Sequence, residues 1–249
     1  MQDLVGKVAV ITGASRGLGL GMARQFGARG LKLGLCSRSV PAVDAGPGFV
    51  AAALDVRDSD AMDRFAERVA DHFGPIDLWI NNAGVLEPVG PVRDTFPAEF
   101  EANLTTNVGG VFNGTRSFLR HRDSVDGGGV LINISSGAAL AGRAGWAAYC
   151  ASKAAVDRIT ETVQLEERAR GLVAFSVSPG VVDTAMQELI RSTPEERFPS
   201  VGDFIALKDH EKFNDPAYVA EQILTLAFDP ANRPEQVVHR IADQPPDFT

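Results

Sequence analysis

Residues 8–19 read VAVITGASRGLG. The run Val8–Thr12 is almost continuously apolar, without the alternation of a half-exposed strand. That pattern suits a strand buried on both faces, as in a parallel sheet covered by helices. A turn with Gly13, Gly17 and Gly19 follows at once. Gly13 permits a tight bend, and the later glycines let backbone and ligand approach closely. A helix beginning near Gly17 aims its first N–H groups at a pyrophosphate. The spacing is G-x-x-x-G-x-G, not the commonest G-x-G-x-x-G. The reading therefore draws its weight from position, first strand into first helix at the amino end.

Similar apolar runs recur at 31–36, 50–54, Leu78–Asn81, Val130–Ile134, 173–177 and 237–241. Helix-like segments lie between them at 17–29, Ser59–Phe73, 97–118, 147–170 and Pro216–Phe228. Asp58 or Ser59 suits a helix cap, and Asp215 followed by Pro216 is a helix start. The alternation predicts an α/β protein: a single doubly wound Rossmann-like domain over residues 1–249, with a parallel sheet of about seven strands and helices on both faces. Two stretches break the pattern. Residues 39–48 are rich in Pro and Gly and read as a loop in place of a crossover helix. Residues 192–214 hold two prolines, several charges and Phe198, Phe204 and Phe213. With the residues from about 184, this stretch is a candidate substrate loop or lid, and equally a surface insertion packed by its own phenylalanines.

The 249 residues are 45% hydrophobic and 22% charged, a globular balance with enough length for a sizeable core. The net charge of −8 repels phosphate backbones, so no nucleic-acid partner is expected. A local anion pocket needs only one or two cations. Cys36 and Cys150 are too few for a disulfide framework. No apolar run approaches the roughly 18 residues of a membrane span, and no basic leader precedes the first strand. The expectation is a cytoplasmic protein without a membrane or metal partner.

Two arginines refine the turn. Arg16 lies inside it, and Arg38 follows the second strand, where such folds meet the adenosine ribose. An acid there would accept a hydrogen bond from a free 2′-hydroxyl. Ser37 and Arg38 suit a 2′-phosphate instead, which points to NADP rather than NAD. Further on, Tyr149 and Lys153 are four apart and share a helix face. A cation beside a phenol favours the phenolate and lowers its pKa, which suits proton exchange with a carbonyl or alcohol oxygen. Ser135 and Ser136 end the apolar run Val130–Ile134 and point a hydroxyl into the expected crevice, toward a developing alkoxide. NNAG at 81–84 ends another strand, and Asn107 stands inside a helix-like run, where a buried amide needs a water or a structural bond.

Taken together, the chain resembles the short-chain dehydrogenase/reductase family along nearly its whole length. TGASRGLG, Asp55, NNAG, Asn107, Ser136, YCASK and PGVVDT at 179–184 carry the resemblance. Ser136 stands thirteen residues before Tyr149, as the family pattern asks, and is preferred to Ser135. The resemblance implies Tyr149 as general acid/base and Ser136 as carbonyl anchor. It implies Lys153 as ribose ligand and tuner of Tyr149, and Asn107 as holder of a relay water. It sets the cofactor against Gly13, Ser15, Arg16, Gly17, Leu18, Gly19, Ser37, Arg38, Asp55, Val56, Asn82, Ala83, Gly84, Tyr149, Lys153, Pro179, Gly180, Val182 and Thr184. It also implies a homodimer or homotetramer through helices 97–118 and 147–170, whose small Ala147, Ala148, Ala151 and Ala155 allow close packing. The carboxyl-terminal third resembles bacterial benzil reductases and sepiapterin reductases. His239 stands where a pterin-anchoring acid is expected, which counts against a pterin. The expectation is an NADPH-dependent reductase of small ketones or dicarbonyls. An NADP sensor without turnover, or an epimerase or dehydratase on the same fold, are the alternatives.

Overall fold

The computed structural model describes residues 4–43, 48–125, 127–210 and 213–248. Strands and helices alternate: β1 (Val8–Thr12), α1 (Gly17–Ala28), β2 (Lys32–Ser37), β3 (Phe49–Ala53), α2 (Ser59–Phe73), β4 (Leu78–Asn81), α3 (Pro97–Leu104), α4 (Gly110–Arg122), β5 (Val130–Ile134), α5 (Ala147–Glu167), β6 (Val173–Ser178), α6 (Ala185–Arg191), α7 (Val201–Asp209), α8 (Pro216–Phe228) and β7 (Val238–Arg240). The seven strands form one parallel sheet in the order β3-β2-β1-β4-β5-β6-β7. The order reverses direction between β1 and β4, which opens a crevice at the carboxyl ends of the strands.

Both faces of the sheet are apolar because both are covered. Ala9 and Ile11 face the layer of α1 and α8, with Met22, Phe26, Val219 and Ile223. Val8 and Val10 face the opposite layer, with Met62, Phe65 and Val69 of α2 and Phe118 of α4. Each large side chain so buried contributes about 1.5–3 kcal/mol. The helix starts follow the expected chemistry. The Asp58 carboxylate accepts from Ala61 N at 2.9 Å, and that of Asp215 from Ala217 N at 2.7 Å. Both satisfy N–H groups that the helix itself leaves unpaired.

A row of polar residues crosses the α4–α5 side of the sheet. Asn81, Asn133 and Ser176 are register neighbours on β4, β5 and β6, all buried. Asn81 takes the Trp79 indole proton at 2.9 Å and donates to Asn133 Oδ1 at 2.9 Å and Thr115 Oγ1 at 3.2 Å. Asn133 donates to Thr160 Oγ1 at 2.8 Å, and Ser176 donates to Asp157 Oδ1 at 2.6 Å. Each buried polar group has a partner on a neighbouring strand or helix, so the row tolerates burial.

Three elements depart from the sequence reading. The helix expected at 97–118 is two helices joined by a π-helical turn, Thr105–Gly109, that contains Asn107. The helix expected at 147–170 ends at Glu167 and closes in a 3₁₀ turn, Arg168–Arg170. The segment 192–214, expected to be irregular, contains α7, and the lid candidate from about 184 also takes in α6. Ile190, Phe198, Val201 and Phe204 bury themselves against Trp146 and Tyr149, and that packing outweighs the charges and prolines that suggested a loop. Residues 39–43 are without helix or strand, as expected, whereas 44–47 of that loop and 211–212 of the candidate lid lie outside the described residues.

Candidate active site

A cavity of about 1300 Å³ opens beyond the carboxyl ends of the strands. Every site residue expected from the sequence lines it except Asn107, which is fully buried behind the wall.

At one end lies the turn between β1 and α1. Gly13 has φ +67°, and a methyl group there would stand 2.8 Å from Ala83 Cα, so only glycine lets the turn pass the end of β4. The same contact explains Asn82. Its side chain donates to Thr12 O at 2.9 Å and Gly13 O at 3.3 Å, while Thr12 Oγ1 accepts from Asn82 N and Ala83 N at 3.0 and 3.1 Å. Asn82 thus latches the turn to β4, besides facing the cavity. The walls here fit a dinucleotide: a glycine-floored turn at a helix start, with Arg16 and Arg38 exposed at the rim. Among the described residues neither arginine has a carboxylate within ion-pair distance. The Ser37 hydroxyl donates to Ser39 O. Asp55 is held by Arg57, whose Nε lies 3.0 and 2.9 Å from its two oxygens and whose Nη2 lies 2.6 Å from Oδ2. That hydrogen bonding holds the Asp55 carboxyl below its ordinary pKa, against the opposing pull of partial burial. Arg57 lines the same cavity and was missed; its only signal in the sequence was its place two residues after Asp55.

At the other end stand Ser136, Tyr149 and Lys153. Tyr149 and Lys153 are buried one turn apart on α5, and Ser136 lies near enough to the Tyr149 phenol to draw its pKa down. Ser135 stays apart, its Oγ buried without a partner. Lys153 Nζ donates to Ile134 O at 2.8 Å, at the last residue of β5, and lies 5.7 Å from the centre of the Tyr149 ring. The expected lowering of the Tyr149 pKa is not what the structure gives. Burial raises it, and Ser136 only partly offsets this. Burial also pulls Lys153 down, to about 8, with Asp157 opposing.

Asn107 works from behind. Its Oδ1 accepts from Val85 N at 2.8 Å, and its Nδ2 donates to Val85 O at 2.8 Å, Ser152 Oγ at 3.0 Å and Asn103 Oδ1 at 3.1 Å. Ser152 in turn donates to the carbonyl of Tyr149 at 2.8 Å. The side chain is therefore a clasp between the loop after β4 and the helix carrying Tyr149. A water held here would have to bond main-chain groups of the π-helical turn.

An aromatic wall closes this end. Trp146 stacks on Phe198, with centroids 4.6 Å apart, and meets Tyr149 edge-on at 5.6 Å. The Arg143 guanidinium lies 5.4 Å from the rings of both Trp146 and Phe204. Pro179, Gly180, Val182 and Thr184 complete the wall after β6. Asn214, also missed, pins that segment by donating to Pro179 O at 2.9 Å. No group of three or more possible metal ligands occurs among the described residues, and none of their helices is long and apolar enough to cross a membrane.

The chain is similar to known proteins. The family model described as short chain dehydrogenase matches residues 7–195. The chain is 35% identical over 204 residues to 3beta-hydroxysteroid dehydrogenase 1 of Eggerthella lenta, covering 78% of each. It is 34% identical over 235 residues to a benzil reductase ((S)-benzoin forming) of Bacillus cereus, covering 88% of this chain and 93% of the relative. Among solved structures, the KRED1-Pglu enzyme superposes with a TM-score of 0.84 at 30% identity, over 94% of this chain and all of that one.

Lys153 makes the site sensitive to alkali in a checkable way. Its pKa is about 8 in the folded protein against an ordinary 10.5. Between those values the unfolded chain holds a proton that the folded one has released, so this group's contribution to stability rises with pH through that window and is lowest below it. In Lys153→Met that rise disappears. From pH 7 to 10, urea unfolding should show the difference between parent and variant moving about 2–3 kcal/mol in the parent's favour. Parallel stability curves would mean Lys153 titrates as an ordinary lysine.

Proposed function

The chain belongs to the short-chain dehydrogenase/reductase family, and we propose that within it this protein is an NADPH-dependent reductase of small ketones or dicarbonyls. It is an oxidoreductase that acts on alcohol or ketone groups with a nicotinamide cofactor. The observation that carries the finer reading is the Tyr149 phenol, buried at the wall of the cavity that Ser136 also lines, with the buried Lys153 one turn away.

The glycine turn, Arg16, Arg38 and the segment 179–184 hold the dinucleotide, which supplies hydride to a carbonyl carbon when bound. The Ser136 hydroxyl and the Tyr149 phenol converge on the carbonyl oxygen, and Tyr149 delivers the proton. Its raised pKa keeps it protonated at neutral pH, as an acid requires. Lys153 stabilises the phenolate left behind and binds the nicotinamide ribose. Met186, Leu189, Ile190 and Phe204 with Trp146 exclude water and favour apolar or aromatic substrates, in a segment that serves as the substrate lid. Arg143, which the sequence reading did not include, sets a positive charge against that aromatic wall. The benzil reductase relative supports a dicarbonyl substrate. The cavity-bearing domain spans the chain as one catalytic unit, and a cytoplasmic location agrees with the lack of a spanning helix among the described residues.

Tyr149→Phe removes one hydroxyl and keeps the ring. With a panel of carbonyls its turnover should fall by about 10²-fold or more, while NADPH binding persists. Near-parental NADPH oxidation by this variant would overturn the mechanism, and none by the parent would favour a sensor.

Cofactor choice rests on Arg16 and Arg38. Charge-assisted contacts of about 1.5–3 kcal/mol each, partly screened, should separate NADPH from NADH by about 10²-fold in kcat/KM. Ser37→Asp repels the 2′-phosphate and accepts from a free ribose diol, so it should reverse the preference. Equal kcat/KM with both cofactors in the parent would remove the NADP assignment and leave the proton chemistry intact.

We also assign a homodimer or homotetramer. Phe112 of α4 and Leu165 of α5 are 55% and 67% exposed, apolar surface on the two helices expected to pair. Light scattering at micromolar concentration should give a dimer or larger; a monomer would refute the assignment.

A further inference from the structure

Among the described residues, Lys153 and Asp157 are the only charged side chains that are buried, 5% and 4% exposed. They carry opposite charges and stand one turn apart on α5, on the face that also bears Tyr149. Such side chains are almost never buried alone, because an isolated charge loses its hydration with nothing in return. Around Lys153 the described bonds supply one neutral acceptor, Ile134 O, which satisfies one of its three N–H groups but not its charge. Asp157 is fixed. Its Oδ1 accepts from Ser176, and Ser176 belongs to the polar row that crosses β4, β5 and β6. The carboxylate is thereby held in the core, one turn of α5 from Lys153.

We propose that Asp157 is a positioning residue of the reaction: a buried countercharge that keeps Lys153 protonated at neutral pH, and so available to Tyr149 and the cofactor ribose. This rests on the role given to Lys153 in the proposed function. The neighbouring elements offer no substitute. β5, β6 and the π-helical turn carry no titratable side chain, Glu99 and Glu101 of α3 are exposed, and Arg168 and Arg170 are exposed at the far end of α5. Tyr149 and Cys150 stand on the near turn of α5, and Arg158 and Glu161 on the next turns pair with each other toward solvent. Burial draws Lys153 down, and Asp157 is the charge that opposes it. Lys153 and Asp157 do not form a direct ion pair, so the coupling acts through the low dielectric of the core.

The chain has five lysines, so a protein labelled with ¹³C-lysine gives few Cε signals, and Lys153→Met identifies the one of interest. In the parent that signal should titrate near pH 8. In Asp157→Asn it should titrate about one pH unit lower or more, the effect of losing an opposite charge nearby. The alkaline limb of kcat/KM for carbonyl reduction should move down by the same amount, and Asp157→Glu should restore both. An unchanged midpoint, or a uniform loss of activity at every pH, would make Asp157 a structural residue only and overturn the proposal. If Asp157→Asn does not fold, Asp157→Ser replaces it, since it too removes the charge and keeps a hydrogen-bonding group for Ser176. If the parent reduces no carbonyl, the proposed function falls, and the lysine midpoint still decides the role of Asp157.

Discussion

An ammonium buried at the end of a parallel sheet constrains much of this molecule. Lys153 lies one turn from Tyr149, and both line the cavity while buried. The cation therefore sits among apolar strands, and the strands bend their chemistry to receive it. β5 ends with its last carbonyl turned to Nζ. The residues that follow β4, β5 and β6 are polar or small and line the cavity, while the strands before them are nearly all hydrophobic. A polar row on a sheet otherwise filled by Ile, Leu and Val costs stability unless every member is bonded. Here the members bond to one another and to α4 and α5, so the sheet keeps its packing up to the edge of the cavity.

The loops around that edge are held by asparagines. Asn82 ties the turn after β1 to the end of β4. Asn107 clasps the loop after β4, with Ser152 linking it to the backbone of Tyr149. Asn214 pins the segment after β6. An amide offers donors and an acceptor on one short, stiff side chain, so a single residue closes both halves of a backbone pairing that no strand is there to make. These three explain how a cavity lined largely by loops keeps a fixed shape. Asn103 adds a fourth set of bonds, to the carbonyls of Val85, Leu86 and Glu87, from the helix before the π-helical turn.

The aromatic wall is a separate small core. Trp146, Phe198 and Phe204 pack on each other and on Tyr149, away from the two large clusters flanking the sheet. The helices that supply it, α6 and α7, are short and follow the last catalytic elements in the chain. Their packing against Trp146, three residues before Tyr149, couples this end of the cavity directly to the helix that bears Tyr149.

The parallel sheet, the glycine turn and the placing of Tyr149 and Lys153 on one helix face were legible in the sequence. Each rests on local pattern: continuous apolar runs, a turn that tolerates only small residues, and a helical repeat. What the tertiary structure alone decided lies in contacts between distant segments. The π-helical turn that breaks 97–118 exists because Asn107 reaches Val85, 22 residues away. The helix α7 forms because Val201 and Phe204 find Trp146. Nothing in VGDFIALKD announces that partner. The Tyr149 pKa moves opposite to the expectation because burial, invisible to a four-residue spacing, outweighs the lowering effect of Ser136. Asp157 carries no local signal in the sequence, and the sheet packed over it makes it a buried charge. Local spacing determines which groups stand on one face; the surfaces that close over that face determine how those groups ionise.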